Sequence, residues 1–195
     1  MKYKMLVTIG LLIVFIQTFP VAADTTTVTT NGDVWVYQSD ADSNFDESSW
    51  LNTGQQFVGA ETQSLFNFDT SSALPGGSSV SSVVLHVIVD GWVPLSGGEV
   101  TEVALYEVDS SWDEGSVTWN TRPTRGSQIG STTYEVAGFD PGELTWDVTA
   151  TWTETTTLDY YVAMTNPSTG LGIVQPYEQG RNNDTYLEIT YTDDA

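Results

Sequence analysis

Ser82-Val-Val-Leu-His-Val-Ile-Val89 is the most hydrophobic stretch beyond the N-terminal leader, and most of it is β-branched. Val and Ile lose side-chain freedom in a helix and pack well on a pleated surface, so the stretch reads as a buried strand. Working outward, Gln63-Ser-Leu-Phe-Asn-Phe68 and Glu102 to Val108 alternate polar and apolar residues, the pattern of half-buried strands. Asp33-Val-Trp-Val-Tyr-Gln38, Tyr134-Glu-Val136, Leu144-Thr-Trp-Asp-Val148, Asp159 to Met164 and Tyr186 to Tyr191 are further runs rich in Val, Ile, Thr, Tyr and Trp. Leu74-Pro-Gly-Gly-Ser78, Ser96-Gly-Gly98 and Phe139-Asp-Pro-Gly142 separate them as loops. No stretch carries apolar residues at helical spacing over several turns. The expected fold is all-β: a two-sheet antiparallel β-sandwich, jelly-roll-like, with about eight strands.

The leader has its own signature. Lys2 and Lys4 precede an apolar run from Met5 to Phe19, which Pro20 ends; Val21-Ala-Ala23 follows with small residues. This is the pattern of a secretory signal peptide, with cleavage expected after Ala23. The run falls short of the roughly 20 residues of a spanning helix, so membrane insertion is not expected once the leader is removed. Residues 24–195 then form a single sandwich domain, long enough to bury a core without disulfides; the chain has no cysteine. Asp24 to Thr30, with its threonine run, reads as a flexible lead-in or an edge strand. The expected location is extracellular or at the cell surface.

The formal net charge is −21, from 26 acidic residues against five Lys and Arg. Both lysines lie in the leader, which leaves Arg122, Arg125 and Arg181 as the cations of the domain. Nucleic acid is excluded as a partner, because phosphate binding needs clustered cations. High-salt habitat, bound divalent cations or solubility would each account for the acidity.

Ser110-Ser-Trp-Asp-Glu-Gly-Ser-Val-Thr-Trp-Asn-Thr-Arg-Pro123 resembles the signature of DNRLRE-type extracellular domains, which are akin to certain carbohydrate-binding modules and to disaggregatase-related repeats. Asp33-Val-Trp-Val-Tyr37, Asn44-Phe45, Leu65-Phe-Asn-Phe-Asp69, Ala104-Leu-Tyr-Glu-Val108 and Trp146-Asp-Val-Thr149 match other pieces of that pattern in order. The string that names the domain is absent, and Asp46 stands where a turn glycine is usual. The resemblance implies a β-sandwich with a carbohydrate-binding role.

Within that segment Trp112, Asp113, Glu114, Trp119 and Arg122 form a candidate structural clasp. The acids follow Trp112 at a bend whose exposed N–H groups need acceptors. Trp112, Trp119 and Trp146 are assigned to the core, and Arg122 is a candidate for fork pairing with a carboxylate. Alternatively, the loop rims a ligand site. Asp40, Asp42, Asn44 and Asp46 place oxygens at every second residue, a candidate calcium loop. Phe45 and Leu51 stand at its sixth and twelfth positions, so it is not an EF-hand. The alternative is a solvated acidic loop.

His86 is the only histidine, and without cysteine it has no partners for a zinc site. No nucleophile–base constellation is evident, and with so many acids no single carboxylate pair is informative. The aromatic content is high, with seven Trp and nine Tyr. Trp50, Trp92 and Trp152 lie at turn edges and are the candidate ligand-binding residues, able to stack on sugar rings; otherwise they cap the ends of the sandwich. Asn183-Asp-Thr185 matches the N-glycosylation pattern. The expected function is polysaccharide binding outside the cell, with calcium as a structural ion. The alternative is a surface, matrix or filament protein that self-associates through the Asp24–Thr30 edge.

Overall fold

The computed structural model describes residues 22–46, 48, 51–57, 60–93, 100–135, 142–152, 157–164, 171–174 and 185–193. They form a two-sheet antiparallel sandwich of eleven strands. These are β1 Ala23–Thr29, β2 Gly32–Tyr37, β3 Leu51–Phe57, β4 Ala60–Asp69, β5 Ser78–Val93 and β6 Val100–Val108. There follow β7 Arg125–Glu135, β8 Gly142–Asp147, β9 Thr157–Met164, β10 Leu171–Val174 and β11 Tyr186–Asp193.

One layer runs β1-β11-β5-β8. β5 pairs with β11 from Ser78 to His86 and with β8 from Val84 to Val89. The other layer joins β2, β4, β9, β6 and β7. β5 is 16 residues long, and its far end pairs with β10. β10 pairs with β3, and β3 with β4, so the hydrogen-bond ladder passes from one layer to the other.

Alternation builds the core between the layers. Val83, Leu85, Val87 and Val89 of β5 face inward with Leu187 and Ile189 of β11 and Leu144 and Trp146 of β8. Phe66, Phe68, Leu158, Tyr160, Val162, Val103 and Leu105 meet them from the second layer. A second cluster lies on the opposite face of that layer: Val34, Val36, Leu65 and Tyr161 pack under Val117, with Trp112 and Trp119 partly covering them. β2 and β4 are therefore buried on both faces, which is why their burial is nearly continuous.

The lid on this second cluster is the Asp109–Thr124 connection between β6 and β7. This corrects the core assignment of two tryptophans. Trp146 is 5% exposed, whereas Trp112 and Trp119 are half-buried because they belong to a lid over an outer face. The strand count is also corrected from about eight to eleven: β3 and β10 went unread, and Tyr134-Glu-Val136 extends back as β7 from Arg125. Residues 24–29 are an edge strand, paired with β11 in register from Asp24↔Tyr191 to Thr29↔Tyr186.

Candidate functional site

The Asp109–Thr124 lid is held by a turn at Asp113. Asp113 Oδ1 accepts the Gly115 N–H at 3.0 Å, and its carbonyl accepts from Ser116 and Val117 at 3.1 and 2.9 Å. Glu114 reaches across to β2, where Oε1 accepts the Asp33 N–H at 2.8 Å. The Trp112 indole N–H donates to Asp159 Oδ1 at 2.8 Å, and Asn67 Nδ2 donates to the same oxygen at 2.7 Å. Tyr161 hydroxyl donates to the Pro123 carbonyl. Arg122 lies 3.7 Å over the Trp119 ring and donates to the Trp119 carbonyl. Its guanidinium makes no carboxylate fork among the described residues, which corrects the expected pairing; burial pushes its pKa down from the usual value. The aromatic face and the carbonyl take the place of a carboxylate.

The acidic loop and this lid are one unit. Asn44 Nδ2 donates to the carbonyls of Glu114 and Val117, both at 2.7 Å, and Asn44 Oδ1 accepts the Asp46 N–H at 3.2 Å. Asn120 donates its backbone N–H to the Ala41 carbonyl at 3.0 Å and its Nδ2 to Asp42 Oδ1 at 2.8 Å. Asp40 Oδ1 accepts from Ser43 Oγ at 2.7 Å. Phe45 packs 4.2 Å from Trp35, ring to ring, and anchors the loop in the core. A calcium ion needs six to eight oxygens aimed at one point. Here Asn44 spends its amide on the lid, and among the described residues no three of Asp, Glu and His are grouped to hold a metal ion.

The three candidate tryptophans are not brought together. Trp50 lies outside the described residues. Trp92 is on β5 opposite Gly172, with its side chain outside the described set. Trp152 follows the 3-10 turn Thr149–Thr151, whose Thr149 Oγ1 accepts the Val83 N–H at 2.9 Å. Trp152 is half-buried against the main core.

It also lines an open groove of about 820 Å³, opposite the connection from β4 to β5. Ser71, Leu74, Pro75, Gly76, Gly77, Ser78 and Ser79 supply most of the remaining wall, and no charged residue is among the lining. That connection is locally fixed. Asp69 Oδ1 accepts the Ser71 N–H at 2.9 Å, and the Pro75 carbonyl accepts from Ser78 Oγ at 2.9 Å. Gly77 has φ of 92°, a left-handed conformation that suits glycine. Hydrogen bonds from Ser71 hold the Asp69 carboxyl below the usual carboxylate range. Next to Trp152 in sequence, Thr151 Oγ1 bonds the Tyr160 hydroxyl at 3.0 Å, and burial pushes that hydroxyl up to about 12.

Reading Leu74–Ser78 only as a separator missed this wall. The local signal was the density of hydroxyls on either side of Pro75-Gly-Gly77. His86 stacks on Tyr186 at 4.4 Å and meets Glu143 Oε1 at 2.6 Å on the outer face of the first layer, away from this groove. No described helix is long and apolar enough to cross a membrane.

The sequence model of carbohydrate-binding module family 96 matches residues 24–191. No curated protein matches the chain. Among solved structures, the chain is similar to the CBM22-1 xylan-binding domain of Xyn10C from Paenibacillus barcinonensis. The identity is 10% and the TM-score 0.34, over 91% of this chain and 100% of that one. The CBM22-1–GH10 modules of Clostridium thermocellum endo-1,4-β-D-xylanase 10B, complexed with xylohexaose, are similar at 14% identity and a TM-score of 0.34. That match covers 90% of this chain and 29% of the xylanase chain.

Proposed function

The chain belongs to carbohydrate-binding module family 96, and from that premise we propose that it holds a neutral polysaccharide in the Trp152 groove and catalyses nothing. One observation carries the reading. In a chain of net charge −21, the groove is lined by hydroxyls, glycines, a few aliphatic residues and one tryptophan, and by no charged residue. Sugar rings stack their C–H faces on an indole, while hydroxyls and exposed backbone groups bond the sugar's own hydroxyls. An anionic polymer would approach against the surrounding field; a neutral one meets no such barrier.

The protein is further proposed to be secreted after loss of residues 1–23, a reading supported by the family match beginning at residue 24. The kinship to DNRLRE-type domains is part of the proposal and rests on the Ser110–Pro123 segment. A second reading, a surface or filament scaffold, is favoured by β1. Its threonine-rich strand pairs only with β11 among the described residues and presents an edge to which a neighbouring chain could add.

The test is a glycan array with residues 24–195 and with Trp152→Ala. Retention on neutral glycans that Trp152→Ala weakens is the expected result. Absence of any retention, together with calcium-independent growth in particle size, would favour the scaffold.

A further inference from the structure

Trp112 is more than part of a lid. It is half-buried and lines two hollows, of about 400 and about 190 Å³. The smaller one is shared with Asn31, Gly32, Asn67 and Glu114, so two amides and a carboxylate stand beside the indole. The indole N–H is fixed on Asp159 Oδ1, which Asn67 also holds. The ring is thus oriented before any ligand arrives, the condition for an efficient recognition surface.

A third hollow, of about 340 Å³, is lined by neighbours of both tryptophans. These include Thr151, the residue before Trp152, and Asp159, the residue that holds Trp112. Thr157 lies between them on β9 and faces Asp69 across the β4–β9 ladder, while Asp159 faces Asn67. From Asn67 to Thr70, which lines the Trp152 groove, is three residues, about 10 Å at strand rise. Glu107 and Asp109 join Asp159 in the middle stretch. Carboxylates there accept bonds from sugar hydroxyls and repel anionic chains.

We infer that the binding site is a track with two aromatic platforms, Trp152 and Trp112, that takes an internal segment of a neutral polysaccharide several sugars long. The inference rests on the reading of the Trp152 groove as a neutral-glycan site and adds the length of the ligand and the second platform. Engaging both platforms with one chain makes the second contact intramolecular, so affinity rises steeply with chain length.

The experiment is affinity electrophoresis and calorimetry on the whole chain. The probes are xylan, glucomannan and mixed-linkage β-glucan, with oligosaccharides of graded length cut from each. Trp152→Ala is expected to weaken every ligand that the parent binds. Trp112→Phe removes the indole N–H and shrinks the ring; Asn31→Ala, at an exposed position, trims the hollow without touching the lid. Each is expected to leave the shortest bound oligosaccharide unchanged and to lower polymer affinity by about tenfold. Should Trp112→Phe fail to fold, Asn31→Ala and the length series on the parent still decide. Unchanged polymer affinity in Asn31→Ala, or no gain with length in the parent, overturns the track while leaving the groove standing. A Trp152→Ala protein that binds every glycan as the parent does overturns the groove reading and the track with it.

Discussion

Asn44 distinguishes a peptide staple from a cation loop, and its replacement by Ala and by Asp should give opposite answers under the two accounts. In the staple, Nδ2 donates two 2.7 Å bonds to the carbonyls of Glu114 and Val117. A typical bond contributes about 1 kcal/mol net, and a carbonyl left unpaired away from water adds to the loss. Val117 is buried, so its carbonyl has little access to replacement water. Asn44→Ala should therefore cost about 2–3 kcal/mol. For a domain of this size, ~1 kcal/mol shifts the melting temperature by about 2–4 °C, so a drop of roughly 4–12 °C is expected.

Asn44→Asp should be at least as damaging, because it loses both donors and points a carboxylate at two carbonyl oxygens. A calcium loop predicts the reverse: an aspartate strengthens such a site, and calcium restores or raises stability. The assay is differential scanning calorimetry of parent, Asn44→Ala and Asn44→Asp, each with calcium and with chelator. Loss in both variants, indifferent to calcium, is the expected result. A calcium-dependent gain in Asn44→Asp, or a loss under about 0.5 kcal/mol in Asn44→Ala, would refute the staple.

Two other outcomes follow from charge. With a net charge of −21, self-repulsion opposes the compact state, so the melting temperature should rise as sodium chloride shortens the screening length from about 10 Å at 0.1 M to about 3 Å at 1 M; a flat or falling trend contradicts this. Asp69 and Asp147 have carboxyls held below their usual range by hydrogen bonds from Ser71 and Thr149. Their folded pKa is depressed, so their contribution is present above the unfolded value of 3.8 and is lost as pH falls through the folded values. Asp69→Asn and Asp147→Asn should therefore flatten the acid limb of a melting-temperature profile below about pH 4, and an unchanged limb in both would contradict those bonds.

The inner strands were legible because their chemistry is their pattern. Val83, Leu85, Val87 and Val89 lie on one face at the strand period, and Phe66 and Phe68 face them. β7 was not legible beyond its end. Arg125-Gly-Ser-Gln-Ile-Gly-Ser-Thr-Thr-Tyr-Glu135 offers one aliphatic residue, and its glycines answer to neighbours distant in sequence. A Cβ at Gly126 would collide with Asp109 Oδ1, and one at Gly130 would sit 3.4 Å from Trp146 Cδ1. Such constraints leave no local periodicity.

The same limit applies to the site. Trp112, Trp119 and Trp146 are equal as letters, and only the topology puts the first two on a lid over Val34, Val36 and Leu65. The acidic loop and the tryptophan segment lie about seventy residues apart, so their union through Asn44 is invisible locally. Trp152 could be chosen from its turn-edge position. Its hydroxyl-lined wall comes from the β4–β5 connection, which folding alone brings alongside.

The most direct test of the central claim is heteronuclear NMR of the whole domain, titrated with a neutral oligosaccharide and, in parallel, with a uronic-acid oligosaccharide of the same length. The account predicts that the neutral ligand shifts the Trp152 indole N–H and the backbone amides of Ser71, Gly76 and Gly77. The uronic acid should leave the groove unperturbed. Shifts confined to other residues, or a groove that responds only to the anionic ligand, would contradict it.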